Sequence, residues 1–570
     1  MAARYFPVLS WARSYTAHQF SDDLLASVIV MVMLVPQSLA YAMLAGLPAE
    51  MGLYASILPL VAYTVFGTSR ALSVGPVAVI SLMTAAAISG LGLTDPAQIV
   101  SAAMTLALMS GLFLVLMGVL RLGFLANFLS HPVIAGFITA SGVLIALGQV
   151  PAILGLNATG HNLPEQVFAL AAAISANWPA LNMPTVMTGV ATLVYLFWAR
   201  SRLAPILRRV GMSDRGAVIV ARLSPVVAVL ASGLAAWYFD LGERGLALVG
   251  DVPAGLPVPG LPAFQSIPWM SLAGPALLIA ILGFVESVSV AQGLAARKRQ
   301  RIDPDQELIG LGASNLAAGF SGGFPVAGGF ARSVVNFDAG AATPAAGLFA
   351  AILIAAATFV LMPLLAFLPK ATLAATIIVA VWSLVDISIV SKAWRYSRAD
   401  FLAVTATIVL TLLVGVEAGV AAGILVSVLV HLYKSSRPHV AIVGQIPGSE
   451  HFRNVVRHQV ITHPHILSLR VDESLYFANT RYLEDLIYKE VSERNDLQHV
   501  ILMCSAVNEI DLSALESLEA INRRLDDLGI KLHLSEVKGP VMDALQKSHF
   551  LHDLSGQVYL SQHLAVQDLV

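Results

Sequence analysis

Two charged residues interrupt long apolar stretches of this 570-residue chain: Glu286 in ILGFVESVSVAQG and Arg332 in SGGFPVAGGFARSVVNF. A charge at membrane depth costs at least ~2.5–3.5 kcal/mol on insertion scales, so such a residue usually faces a cavity and has a task there. Burial favours the neutral carboxyl and a nearby arginine favours the carboxylate, so a glutamate between those influences can take up or release a proton as an anion arrives. The alternative is a permanent structural ion pair between Glu286 and Arg332, and the two ideas are compatible. Arg332 follows the glycine pairs 322–323 and 328–329. A second segment, LSVGPVAVIS at 72–81, opens its apolar run with Gly75 and Pro76. Both runs, 77–90 and 330–338, are too short to cross a bilayer.

Backbone that leaves helical geometry in a membrane is tolerated only inside protein or along a wet cavity. Paired broken spans at matching places in two halves point to an inverted-repeat transporter. Each half-helix would begin near the midplane with unpaired N–H groups and the positive end of its dipole, an anion site made from backbone. Arg332 adds a full positive charge to it. The alternative reading of the four glycines is close helix packing; packing is the favoured reading for Gly415, Gly419 and Gly423 in GVEAGVAAG. Gln37 and Tyr41, in VPQSLAYA, are four residues apart and share a helical face. They offer hydrogen bonds or an aromatic wall to a ligand, or simply pack, and Pro36 would free a carbonyl beside them.

The elements that would position these residues follow from composition. The chain is 57% hydrophobic and 12% charged, with mean hydropathy +0.77, which a soluble protein of this size could not cover. Fourteen apolar runs lie near 24–45, 52–66, 74–90, 98–120, 131–152, 184–199, 223–239, 271–292, 306–320, 327–338, 344–367, 371–388, 400–414 and 417–433. A further stretch, 165–177, reads as a helix in an outer loop. With the N-terminus inside, the inner loops carry Arg70, Arg121, the arginines of 200–222, Arg297 to Arg301, Lys392 to Arg398, Lys434 and Arg437, whereas the outer loops carry Arg244 and Lys370. That bias fits fourteen spans and a cytoplasmic C-terminus. The broken spans are then the third and the tenth, equivalent positions in two sevens. A cytoplasmic segment 1–23, too polar for a cleaved signal peptide, precedes a membrane domain at 24–436.

From 440 to 570 the composition is that of a soluble domain. HILSLRVDESLYFAN (465–479) reads as paired strands, 480–493 as a helix, HVILMCSA (499–506) as a buried strand, 510–529 as a helix and KLHLSEV (531–537) as a strand. Asp511 or Ser513 is available to cap the 510–529 helix and Gly529 to end it. Alternating strands and helices indicate a small α/β domain. A net charge of −2 offers nothing for nucleic acid, and the single Cys504 excludes an intramolecular disulfide or a multi-cysteine metal site. His463 and His465 read as loop histidines. Neither a P-loop nor a nucleophile–base arrangement is present, so the chain does not read as an enzyme and no cofactor is expected.

LVPQSLAYAMLAGLPAEMGLYAS (34–56), VGPVAVISLM (74–83), SHPVIAGF (130–137), GFVESVSVAQGLA (283–295), the 321–336 segment and IDLSALESLEAI (510–521) resemble the sulfate permease (SulP) family of anion transporters, in family order along nearly the whole chain. The resemblance implies a polytopic α-helical membrane protein of 14 spans built as a 7+7 inverted repeat. Spans 1–4 and 8–11 would form a core that moves like an elevator against a gate of spans 5–7 and 12–14. It further implies an anion site near Gln37, Tyr41, Val77, Ala78, Phe330 and Ala331, homodimers in a bacterial-type inner membrane, and a sulfate-transporter and anti-sigma-antagonist (STAS) domain at 440–570. Related antagonists are phosphorylated near the position of Ser513, which reads here more simply as a helix cap. Many members place hydroxyl residues where this chain has Ala327 and Ala331, which leaves more of the binding to backbone N–H groups.

The expected function is therefore secondary active uptake of sulfate or a similar small anion with protons, Glu286 carrying the proton. Sodium wants several oxygen ligands, and Ser289, Val290, Phe330 and Ala331 offer a poor cage. Dicarboxylate or bicarbonate transport and anion exchange are alternatives on the same fold. A passive channel, or a membrane sensor whose soluble domain binds a cytoplasmic partner, are alternatives of another class.

Overall fold

The computed structural model describes residues 5–127, 131–160, 162–177, 181–250, 255–257, 259–263, 267–360, 366–382 and 385–570. The expected spans 344–367 and 371–388 run into 361–365 and 383–384, and SHPVIAGF begins at 130; these positions lie outside the described residues. The chain divides into two compact units, Met1–Ser427 and Val428–Val570.

The membrane part is helical at each of the fourteen apolar runs. Its first half holds α1 (Ala17–Leu44), α2 (Leu58–Phe66), β1 (Val74–Gly75), α3 (Ala78–Ser89), α4 (Pro96–Val119), α5 (His131–Gly148), α6 (Met183–Trp198) and α7 (Ser224–Tyr238). The second half repeats the order with α8 (Ala273–Arg297), α9 (Pro304–Phe320), β2 (Ala327–Gly328), α10 (Phe330–Asp338), α11 (Ala345–Val360), α12 (Lys370–Trp382), α13 (Arg398–Leu413) and α14 (Val416–Ser436). The stretch at 165–177 is a helix, Leu163–Asn177. Among the described residues five helical segments are long and apolar enough to cross a bilayer: Ala17–Leu44, Pro96–Val119, Pro132–Leu154, Met183–Arg209 and Trp269–Arg297. By contrast α3 has 12 residues and α10 has 9, about 18 and 14 Å of helix against a hydrocarbon core of ~30 Å. The head of α3 is buried, whereas Phe330 and Ala331 at the head of α10 are exposed.

Local chemistry sets the helix starts. Thr16 and Gln19 form a reciprocal capping box at the head of α1, and the helix continues through Pro36. Asp23, fully buried in the early turns of α1, accepts hydrogen bonds from the backbone N–H groups of Ala342 and Thr343, the Thr343 hydroxyl and the Tyr15 hydroxyl, which joins the head of α1 to the head of α11. Glu307, equally buried near the head of α9, accepts from the Tyr63 hydroxyl, the N–H and hydroxyl of Thr68 and the N–H of Ser69. Each carboxylate collects four donors, which is how a buried charge is accommodated without a cationic partner. A Cβ on Gly419 would fall on the Thr411 side chain, in line with a packing role for that glycine.

The C-terminal unit carries a six-stranded sheet in the order β4–β3–β5–β6–β7–β8, with β3 (Val440–Gln445), β4 (Phe452–Asn454), β5 (Ile466–Val471), β6 (His499–Met503), β7 (Lys531–Ser535) and β8 (Val558–Tyr559). β3 runs antiparallel to β4 and β5, and β5 to β8 are parallel. Helices α15 (Thr480–Ser492), α16 (Leu512–Asp527), α17 (Gly539–Leu545) and α18 (Gln562–Leu569) complete it. Leu467, Leu469, Val500, Leu502, Leu532 and Leu534 share one apolar cluster with Leu483, Ile487, Leu518 and Ile521, so the central strands pack on α15 and α16.

Two expectations need correction. The stretch 465–479 holds one strand rather than a pair: after β5 the chain turns, and the Asn479 side chain fixes that turn by accepting from Tyr476 N and donating to Ser474 O. The strand partner of β5 on its antiparallel side is β3. The cap of α16 is Asp511, which accepts from Ala514 N at 2.8 Å, whereas Ser513 is exposed and makes no capping bond. Gly529 ends that region with φ +76°, a left-handed conformation suited to glycine.

Candidate functional site

The two broken spans meet backbone to backbone. β1 pairs antiparallel with β2, Val74 opposite Gly328 and Gly75 opposite Ala327. Helix α3 departs just after one strand and α10 just after the other, so the two half-helices leave the crossing in opposite directions with both positive ends at the strand pair. Their N-caps, Val77 and Gly329, have extended dihedrals and provide no side-chain acceptor. The N–H groups of Ala78, Val79, Phe330 and Ala331 accordingly find no acceptor among the described residues.

Five side chains or backbone contacts hold this crossing. Asn315 on α9 clasps Val326 through both N–H and C=O, each at 2.9 Å. Ser287 on α8 accepts from Gly328 N at 2.8 Å, and Ser333 on α10 accepts from Ser73 N at 2.9 Å. Asn336 donates to Ala71 O at 3.1 Å, and Gly329 N donates to Ser73 O at 3.2 Å. None of these polar side chains was singled out from the sequence. Their signal is small polar residues in apolar helices, and Ser287 is next to Glu286. Gly322, with φ +69°, turns the chain out of α9 toward the crossing.

Arg332 is 2% exposed. Its Nη1 donates to the Pro76 carbonyl across the crossing, whereas Nε and Nη2 are buried and have no hydrogen-bond partner. The side chain folds back over Gly329, where a Cβ would come within 2.9 Å of Nη2; any larger residue would displace the guanidinium. Glu286 on α8 is partly buried, and no ion pair joins it to Arg332, so the structural ion-pair alternative finds no contact here. Tyr41, Glu286 and Arg332 are nonetheless close enough to interact electrostatically.

The remaining expected residues lie around this centre. Tyr41 is buried and packs in the apolar cluster that includes Ala78, while Gln37, one turn earlier on α1, is partly exposed. Val77 and Ala78 are buried; Phe330, at 54% exposure, and Ala331 are open. Neither Gln37 nor Glu286 makes a side-chain hydrogen bond among the described residues. Ser289 is exposed, and its hydroxyl donates to Val285 O at 2.7 Å within its own helix. What converges is thus a set of donors, from helix N-termini and a buried guanidinium, beside one carboxyl group. That set can bind an anion, and the carboxyl can exchange a proton.

Similarity to known proteins follows the same division of the chain. A family model described as the sulfate permease family matches residues 20–407, and one for the STAS domain matches 457–565. Probable sulfate transporter 4.2 of Arabidopsis thaliana is 35% identical, covering 99% of this chain and 83% of its own. A probable sulfate transporter of Mycobacterium tuberculosis is 31% identical over 99% of this chain and 98% of its own. Among solved structures, the murine solute carrier 26 family member A9 anion transporter, in the inward-facing state, superposes with a TM-score of 0.87 at 24% identity, covering 99% of this chain and 94% of that one. The transmembrane domain of the cyanobacterial bicarbonate transporter BicA superposes with a TM-score of 0.60 at 23% identity, covering 72% of this chain and 98% of that one. These structures share the fold: the match to BicA covers 72% of this chain, and that to the murine protein covers nearly all of it, the α/β unit included.

Proposed function

Because the chain belongs to the sulfate permease family, we propose that it is a secondary active transporter that takes up sulfate or a similar small anion together with protons. One observation carries this reading: buried Arg332, with two N–H-bearing nitrogens unpartnered, stands where the N-termini of α3 and α10 meet. An unpaired buried guanidinium and two sets of free backbone N–H groups form a field that a dehydrated anion would complete. In this reading Val77, Ala78, Phe330 and Ala331 present backbone to the anion, Gln37 and Tyr41 line it from α1, and Arg332 supplies the charge. Val77 here is a helix cap rather than a side-chain donor.

Glu286 is the coupling residue of this proposal. A protonated carboxyl beside Arg332 leaves the field positive and receptive, whereas the carboxylate opposes an entering anion. Protonation and anion binding therefore favour one another, the condition for symport. Val290, Phe330 and Ala331 bring no side-chain oxygen to it, which argues for a proton over sodium.

Alternating exposure is assigned to an elevator movement of a core (spans 1–4 and 8–11) against a gate (spans 5–7 and 12–14), within a homodimer. Multi-pass insertion in a bacterial-type inner membrane with both termini in the cytoplasm agrees with the loop arginines. The domain limits are 24–436 for transport and 440–570 for the STAS domain, whose cytoplasmic partner would act on regulation.

The test is radiolabelled sulfate uptake into proteoliposomes with acid outside and no sodium. Uptake that overshoots equilibrium and collapses with a protonophore is expected. Absence of uptake by folded protein, with sulfate, dicarboxylates and bicarbonate each tried, would overturn proton-coupled anion uptake.

A further inference from the structure

A cavity of about 370 Å³ lies away from the half-helix crossing, and none of its walls comes from α3, α10 or the strand pair. Its lining includes Ser10 and Trp11 of the N-terminal segment, Thr68 and Arg70 after α2, Arg301 before α9 and Pro344 before α11. These are all segments that the arginine bias assigns to the cytoplasmic face.

Three features of this cavity point to a ligand. Arg70 and Arg301 are exposed and enter no ion pair among the described residues. The indole nitrogen of Trp11 is buried yet has no hydrogen-bond partner, an N–H donor that ordinarily finds an acceptor when removed from water. Glu307, which holds Thr68 of the wall, is already engaged by Tyr63, Thr68 and Ser69 and forms no ion pair with either arginine. Lys298, whose Nζ donates to Ala341 O, is close enough to Arg70, Asp22 and Asp23 to interact with each electrostatically. Two guanidinium forks and an indole donor around a cavity of this size are chemistry for an anion with several acceptor oxygens.

We propose that this cavity is a regulatory binding site for a phosphate-bearing anion at the inner face of the transport unit. The placement of that face in the cytoplasm rests on the topology proposed above; the binding itself does not. Two sources supply the chemistry, a phospholipid headgroup from the inner leaflet or a soluble phosphate compound. Occupancy would brace the N-terminal segment against the loops after α2 and before α9. Thr68, in the cavity wall, donates to Glu307 on α9, which carries the effect into the helices that hold Val326 and β2.

The experiment is hydrogen exchange on the full chain in phosphatidylcholine nanodiscs, with sodium pyrophosphate added or with phosphatidic acid in the bilayer. Roughly tenfold slower exchange at 67–70 and 299–303, with no matching change at 74–80 and 328–333, is expected with one of the two. Slowing by pyrophosphate identifies a soluble ligand, and slowing by phosphatidic acid alone identifies a headgroup. R70Q combined with R301Q should abolish it; Trp11→Phe, which keeps an aromatic ring and removes the N–H, should weaken it if the double variant does not fold. Failure of both phosphates to slow exchange, or slowing confined to the half-helix crossing, would overturn the site. Neither result depends on whether sulfate is transported.

Discussion

At the scale of single residues, the parts proposed for Glu286 and Arg332 are separable. Glu286→Gln keeps the shape and removes the titration, so proton-driven accumulation of anion should vanish while anion binding persists. The measure is the ratio of internal to external sulfate under an imposed pH gradient, with equilibrium exchange of label as the control; accumulation as steep as the parent's would remove Glu286 from coupling. Arg332→Ala deletes a full positive charge at the half-helix crossing and also the bond to the Pro76 carbonyl. Charge-assisted contacts of this kind are worth ~1.5–3 kcal/mol, so half-saturation should rise roughly 10- to 100-fold. An unchanged half-saturation would place the anion elsewhere. Both residues were legible in the sequence because a charge in an apolar run stands out. Asp23 and Glu307 were not, because near a helix start a carboxylate looks like a solvated cap; only the fold shows that each is buried among four donors, most of them far away in the sequence.

At the scale of elements, the broken helices were legible from glycine, proline and short apolar length, but their pairing into β1–β2 was not. Two-residue strands leave no periodicity, and the strand pairing itself and the Ser73–Ser333 bond link residues more than two hundred positions apart. Ser333→Ala tests that clasp. It strands the Ser73 N–H without its acceptor at a cost of ~1–3 kcal/mol, so amide exchange at 73–75 should accelerate while the helices at 96–119 and 304–320 stay protected. Equal exchange in both proteins would make the bond incidental.

In the sheet of the C-terminal unit, a histidine pair fixes an element in a way the sequence did not suggest. Gln557 N donates to His533 Nδ1 at 3.0 Å, so the proton of His533 must sit on Nε2, which donates to His499 Nδ1 at 3.1 Å. Burial, with His499 and Lys531 nearby, pushes His533 down to about 4, and burial with His465 and Lys531 also lowers His499. The unfolded chain takes up this proton near pH ~6.5 and the folded chain only at about 4. The stability from a neutral His533 is therefore complete above ~6.5 and is lost as the pH falls below it, at ~1.4 kcal/mol per pH unit for one proton. Exchange at 556–559, corrected for its chemical pH dependence, should reveal easier opening of β8 toward pH ~5, and His533→Gln should flatten the dependence. A parent protein without that dependence would contradict the assigned tautomers.

At the scale of the whole molecule, order along the chain was the most legible feature. Hydropathy and loop charge give the helical membrane part, and the change to mixed composition gives the α/β unit, because both are averages over many residues. Single contacts are not averages, which is why 465–479 looked like two strands until Asn479 was seen closing its turn. The division has a functional consequence. Every residue assigned to the anion, from Gln37 to Arg332, falls in Met1–Ser427, while the apolar cluster of the sheet unit draws only on residues of Val428–Val570. If selectivity resides wholly in the first unit, a chain ending at 437 should keep the parent's order of preference among sulfate, fumarate and bicarbonate in competition uptake. Its turnover or dimer content should fall, read by initial rate per folded protein and by light scattering in detergent. A reordered preference would mean that the sheet unit shapes the anion path, and the assignment of the site to the half-helix crossing alone would have to be abandoned.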